Sequence, residues 1–410
     1  MTARRMTRTG VVGVIAAALA ATAFTVPVQA AGHEIPPTKE HKAHQGHSQT
    51  QRAMDDLVAA GIPGVVAGAR DKNGTWRSTS GIGNTKTGAP RGVHDRFRVA
   101  SITKTFVATV LLQMESEGRL DLDDTVDRHL PGVVRGNGND GRKITVRQLL
   151  NHTSGLFDYL GDAAYVKKYM EAPGFLKHRY DTVTPDLAVR TALSHQPDFQ
   201  PSARFGYSNT NYVLAALIIE SVGGKTYEDE VRGRIIRPLG LHGTTLPENT
   251  SHVPGPHSRA YSRLSFDPAA TKVYDVTLQN GSQSWADGDI ISTTSDLNRF
   301  YSALMRGKLL SKKQLKAMKT TVSDSEDPRT GYGLGIATFT TSCGVKLWGH
   351  SGGWLGSLSH ALTTEDGSHT LAYNLNGDWG WSPYIEEGEF CGVGGPARGA
   401  AKLDRAAHRR

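Results

Sequence analysis

The chain has 410 residues, a formal net charge of +8 at neutral pH, and is 38% hydrophobic and 7% aromatic. That is enough apolar material for a packed core shared by two or three lobes. The positive excess sits at the two ends, in Arg4, Arg5 and Arg8 and in the last nineteen residues, so the intervening chain is near neutral, carries no recognised nucleic-acid motif and excludes a nucleic-acid surface as its main business.

Residues 1–30 read as an export signal. Three arginines precede an apolar stretch from Gly10 to Phe24, too short to span a bilayer comfortably, and Val28-Gln29-Ala30 supplies small residues for cleavage after Ala30. The alternative is an uncleaved anchor; no later segment is long and apolar enough for a stable membrane span. A secreted protein, with possible retention at the cell wall, is therefore expected. Residues 31–51 hold His33, His41, His44 and His47 without apolar periodicity, and read as a flexible leader rather than a metal site.

The fold is expected from residue 52. Val65 to Arg70 and Thr75 to Ile82 alternate as a hairpin across Asn73-Gly74. Ser101-Ile102-Thr103-Lys104 then opens an apolar helix with a stripe at Phe106, Val107, Val110, Leu111 and Met114, ending near Gly118. Three residues of helix put a hydroxyl and an amine on one face. A desolvated lysine can lose its proton and serve as base to that hydroxyl.

Residues 119–284 show mainly helical patterns and long loops. Within them, Phe205 to Tyr212 reads as a loop capped onto a helix. Tyr207, beside a lysine ammonium, is expected to have a lowered pKa and to pass protons; Asn209 offers a donor and an acceptor. After residue 284 strands return: a short one at Val345 to Gly349 leads into His350-Ser351-Gly352-Gly353, and Leu358–Thr363 and His369–Asn376 form a hairpin across Asp366-Gly367. Glycines beside a strand allow close approach of a ligand or another backbone. Hairpins at both ends predict an α+β chain: an antiparallel sheet lobe from about 52–118 and 285–392, with a helical lobe, about 119–284, inserted. Cys343 and Cys391 are the only cysteines and are expected to pair, closing a loop worth about 4 kcal/mol by chain entropy. Residues 393–410 read as a basic tail, disordered or removed.

Ser-x-x-Lys at 101–104, Tyr-Ser-Asn at 207–209 and His-Ser-Gly at 350–352 fall in a recognisable order. Phe97–Ala100, Thr145–Leu156, Ser292–Leu297 and Gly331–Gly335 flank them. On these motifs, over roughly residues 50 to 392, the chain resembles the serine β-lactamase and D-alanyl-D-alanine carboxypeptidase family, in its class C-like branch, and most of all its secreted carboxypeptidases. The resemblance implies a beta-lactamase-like fold: a mainly antiparallel sheet flanked by helices, an inserted all-helical lobe, and a site between them. It implies acyl transfer with Ser101 as nucleophile. Lys104 would activate Ser101 and hold the Tyr207 hydroxyl; Tyr207 would shuttle protons; Asn209 would orient the substrate amide. His350 would complete the polar floor near Tyr207. The N–H groups of Ser101 and Gly353 would form an oxyanion hole, Ser351 would supply a hydroxyl, and Trp285 would line the cleft. It implies no metal and no organic cofactor, a monomer, peptidoglycan stem peptides or related acyl substrates, and β-lactams as inhibitors.

Two positions depart from that pattern. The arginine that carboxypeptidases use for the substrate's terminal carboxylate falls at Ala337, and a threonine falls at Gly353. Three readings follow: a D-alanyl-D-alanine carboxypeptidase; a same-fold esterase, D-amino-amide hydrolase or β-lactamase; and a non-catalytic receptor for penicillin or wall peptide.

Overall fold

The computed structural model describes residues 47–325 and 327–395. The expected export signal, most of the leader and nearly all of the basic tail lie outside the described residues. The leader is shorter than expected, because helix α1 (Ser48–Ala59) already includes Ser48–Gln51. Thr50, Ala53, Met54 and Leu57 form its buried side, a period that begins before residue 52.

Eight antiparallel strands form the main sheet: β1 (Gly64–Asp71), β2 (Gly74–Asn84), β3 (Ala89–Pro90), β4 (Thr330–Tyr332), β5 (Ala337–Thr340), β6 (Lys346–Trp354), β7 (Ser357–Thr364) and β8 (Thr370–Leu375). Their order is β4-β5-β6-β7-β8-β1-β2-β3, so β1 pairs β8 and joins the two ends of the chain. Both expected hairpins are present, Asp71 facing Gly74 in one and Thr363 facing Thr370 in the other.

Alternation explains the layers. Val65, Ala67 and Ala69 of β1, with Leu371, Tyr373 and Leu375 of β8, pack on one face with α1 and with Ile385 of a C-terminal helix. Val66 and Ala372 point to the other face, into the core that holds Phe300 and Leu304 of a second helix. These helices are numbered α2 (Thr103–Ser116), α3 (Thr210–Gly223), α4 (Trp285–Gly288), α5 (Thr294–Met305) and α6 (Tyr384–Cys391) in chain order after α1. Thus α1 and α6 cover one face and α5 the other. Gly68 lets α5 approach closely: a Cβ there would lie 2.8 Å from the Thr294 hydroxyl.

The helix α2 is buried all round rather than along one stripe, since Thr103 to Leu112 are all buried. It lies between the lobes, so each lobe covers one side of it. The inserted lobe is not all-helical. Arg135–Gly136 pairs with Asn139–Asp140, and Tyr261–Ser262 pairs with Tyr274–Asp275. Such ribbons are too short for an alternating pattern to announce them. Cys343 and Cys391 are disulfide-bonded, tying α6 to the segment before β6. Among the described residues no helix is long and apolar enough to cross a membrane.

Candidate active site

Ser101 sits in a single tight turn, Ala100–Ile102, that runs into α2. Ala100 holds a left-handed φ of 51° although it carries a side chain. Beside the turn runs β6. A Cβ on Gly352 would lie 2.1 Å from the Val99 carbonyl oxygen and 3.0 Å from the Ser101 nitrogen, so only glycine permits this approach. Pairing of β5 with β6 ends at Ala337 opposite Gly349. From His350 to Trp354, β6 is paired through β7 alone, and its other edge is open beside Ser101. Gly353 is exposed on that stretch. A strand edge of this kind offers main-chain donors and acceptors to an extended ligand.

Lys104 is fully buried. Its Nζ donates to Ser101 Oγ at 2.9 Å, to Asn209 Oδ1 at 2.7 Å and to the Asp287 carbonyl at 2.8 Å. Burial lowers its pKa to about 8, opposed by the charges of Asp287 and Asp158. Burial in turn raises Asp287 to about 7 and Asp158 to about 6, with Lys104 pulling both back. Tyr159 donates to Asp287 at 2.7 Å, and Asn209 Nδ2 donates to Asp158 at 2.9 Å. Asn209 thus joins Lys104 to Asp158 through the two ends of its amide, with one N–H of its NH₂ group still to be placed. Trp285 is half-buried; its indole N–H donates to Glu228 at 2.9 Å and its ring meets Tyr227 edge-on, which packs it against the inserted lobe. The residue of α4 that reaches the site is Asp287.

The Tyr207 hydroxyl lies close enough to the Ser101 side chain for that serine to favour its ionised form slightly. Lys104 Nζ lies 5.0 Å from the centre of its ring. Burial raises the phenol well above its ordinary range, opposite to the lowering expected from a neighbouring lysine. Desolvation is the largest cause, and the neighbouring charges of Asp287 and Asp158 add to it.

His152 stacks on Tyr207 with ring centres 4.1 Å apart. It is fully buried and has a left-handed φ of 59°. Its Nδ1 accepts from the Ser208 backbone N–H at 3.2 Å and from Asn211 Nδ2 at 3.1 Å, and its carbonyl accepts from Gly206 N–H at 2.9 Å. One residue thus clamps the backbone on both sides of Tyr207. Its Nε2 finds no hydrogen-bond partner among the described residues. In sequence His152 stood out only as part of a flanking signature, and its left-handed backbone left no trace there.

His350 is buried and neutral, its pKa lowered to about 3 by desolvation. Its Nδ1 faces the Ser351 carbonyl, which can only accept, so the proton is on Nδ1. Nε2 then accepts from Tyr332 at 2.9 Å. His350 therefore reaches Tyr207 through Tyr332, whose ring meets Tyr207 edge-on. Ser351 is half-buried. Ala337, Tyr207 and Tyr332 form a small apolar cluster with Phe205 packed on it. Among the described residues no group of three or more His, Cys, Asp or Glu is arranged to hold a metal ion.

A Beta-lactamase family model matches residues 50–378. The chain belongs to the beta-lactamase family. It is a serine hydrolase of that family, with the large antiparallel sheet and flanking helices of a beta-lactamase-like fold. Penicillin-binding protein 4* of Bacillus subtilis is 31% identical over 324 residues, which cover 76% of this chain and 68% of that protein. The crystal structure of a D-stereospecific amidohydrolase from Streptomyces sp. is 52% identical with a TM-score of 0.81, covering 85% of this chain and 99% of that one. A D-amino acid amidase from Ochrobactrum anthropi SV3, solved with D-phenylalanine, is 29% identical with a TM-score of 0.70, covering 83% and 95%.

Proposed function

We propose that this beta-lactamase-family hydrolase cleaves amides of D-configured amino acids through an ester on Ser101. The observation that carries this reading is the apolar cluster of Ala337, Phe205, Tyr207 and Tyr332 at the end of the paired part of β6. A cluster of that kind holds no cation to pair with a carboxylate, which favours a neutral leaving group. The likeness to the Streptomyces D-stereospecific amidohydrolase and the Ochrobactrum D-amino acid amidase supports the same reading.

In this reading neutral Lys104 takes the Ser101 proton as Oγ attacks the acyl carbon. The oxyanion faces the N–H groups of Ser101 and Gly353. The C–N bond breaks, and the amine leaves with a proton from Tyr207, which Lys104 replaces. Water then attacks the ester, giving its proton back through the same pair, and the acid departs. Asn209, Asp158 and Asp287 hold Lys104, while His152 holds Tyr207.

A carboxypeptidase is the second reading, and one cation favours it. Arg204 lies exposed, stacked over Phe199 and donating to the Phe205 carbonyl at 3.2 Å, next in sequence to the apolar wall. Initial rates on D- and L-phenylalanine amide and on a diacyl-lysyl-D-alanyl-D-alanine peptide separate the two. Turnover of the D-amide, none of the L-amide, and a fall of about 10⁴-fold or more in Ser101→Ala are expected. Release of D-alanine without amidase turnover would replace this reading by the carboxypeptidase; a stable Ser101 ester with penicillin and no turnover of any substrate would leave a receptor.

A further inference from the structure

Away from the cleft, the strand leading into Ser101 runs past a cluster of guanidinium groups. Arg91 and Arg98 are only 4% and 5% exposed. With Arg96 and Arg259 they line a cavity of about 20 Å³, which Ser357 and Asn374 also border. A buried cation is normally paired, because its desolvation is otherwise uncompensated.

Here the pairing is incomplete. Arg98 donates to the carbonyls of Gln279 at 2.8 Å and Ser251 at 3.4 Å, with no carboxylate in ion-pair contact among the described residues. The acid whose field it feels, Asp289, is itself buried and pushed up by desolvation. Arg91 has Asp95 at 3.8 Å from Nε, beyond hydrogen-bonding distance. Asp95 accepts instead from the Gly92 N–H and the Ser258 hydroxyl. The Nε atoms of both Arg91 and Arg98 lack a hydrogen-bond partner among the described residues. Of the outer pair, Arg259 faces Asp275 at 3.6 Å and Arg96 donates to the His242 carbonyl at 3.2 Å. Four cations thus border the cavity, with Asp95 and Asp275 the carboxylates in ion-pair range and the two buried Nε atoms unanswered among the described residues.

We propose that this cavity binds one small inorganic anion of chloride's size, which neutralises Arg91 and Arg98. Size favours a small particle: about 20 Å³ is open to the centre of a water-sized sphere, which suits chloride or bromide better than an organic acid. Its position gives it a consequence. The Arg98 carbonyl accepts from the Ser357 hydroxyl at 2.7 Å and the Ser359 hydroxyl at 3.2 Å, which ties the strand before Ser101 to β7. An anion on the Arg98 side chain braces that tie and stabilises the folded protein.

The test is the thermal midpoint of the full chain at constant ionic strength, titrating potassium chloride against potassium gluconate. The expected result is a saturable rise of several degrees in chloride, reproduced by bromide, absent with sulfate, and lost in Arg98→Met. Bromide-soaked crystals should show an anomalous peak between Arg91 and Arg98. Equal midpoints in all salts, or a chloride-specific rise that survives in Arg98→Met, would overturn the proposal. If Arg98→Met does not fold, the bromide peak decides: a cavity holding water alone shows none, which also overturns it.

Discussion

Lys104 donates to two carbonyl oxygens and one hydroxyl, and that asymmetry decides what deprotonation does. Carbonyl oxygens cannot donate, so the two N–H bonds that remain stay on Asn209 and Asp287. The lone pair is left facing Ser101 Oγ. With the pKa lowered to about 8, the neutral amine grows tenfold per pH unit below pH 8 and levels off above it. Acylation by penicillin or by substrate should follow that curve, read as kcat/KM against pH. In Asp287→Asn the charge that holds the proton on Lys104 is gone, so the rising limb should move to lower pH; an unmoved limb would show that another group titrates. Ser101, Lys104 and Tyr207 were legible in sequence because their chemistry is local and their spacing recurs. Asp158, Asp287 and His152 were not, since packing brings them from separate segments to the site. Nothing in the sequence singled out Asp287 beside Trp285, as a four-residue helix gives no periodicity to say which side faces in.

Among the elements, β6 does the most to shape the site. A Cβ at Gly352 would sit 2.1 Å from the Val99 carbonyl oxygen, so Gly352→Ala must push β6 and the Ser101 turn apart. The expected loss is about 10²–10³-fold in acylation rate, the scale of one misplaced oxyanion donor. At Gly353 a Cβ meets only Leu358 Cδ2, at 3.4 Å, so Gly353→Ala should cost under about tenfold if packing alone is at stake. Both are measured as penicillin labelling rates on protein whose circular dichroism is unchanged. The hairpins of β1–β2 and β7–β8 were legible from alternation and from their Asn-Gly and Asp-Gly turns. The strand β6 was read as ending at Gly349, five residues early, because His-Ser-Gly-Gly has no strand composition. Its pairing with β7, which no local signal encodes, extends it through Trp354. The same reason hid the full burial of α2, whose polar Thr105 is satisfied by Tyr301 and the Gly335 carbonyl and whose Thr109 donates back to the Thr105 carbonyl.

Across the whole molecule, the two ends of the described chain are fastened to each other on the outer face of the sheet. Glu389 of α6, its side chain 1% exposed, accepts from His47 Nδ1 at 2.9 Å, from Thr50 at 2.8 Å and from His369 Nε2 at 2.8 Å. His47 also stacks on Trp76 of β2, ring centres 4.7 Å apart. A histidine counted in sequence as part of a solvated leader is thus a structural residue, recognisable only once α6 is in place. The clasp has a pH window. Although burial opposes it, hydrogen bonds from His369 and His47 lower Glu389 from 4.5 to about 2, so its share of stability is present above pH 4.5 and lost as pH falls toward 2. The bond to Glu389 raises His47 above 6.5, so that share is complete below pH 6.5 and lost as pH rises through the raised value. The two shares coincide between about pH 4.5 and 6.5. Glu389→Gln should therefore lower the urea midpoint most near pH 5.5, by an amount equivalent to about 1–3 kcal/mol, and less both above pH 8 and below pH 3. A deficit that is flat from pH 3 to 9 would mean that the clasp works by packing, with the charge on Glu389 contributing nothing. Activity at Ser101 should be unchanged in the variant wherever it is folded, because α6 and the Ser101 turn lie on opposite faces of the sheet.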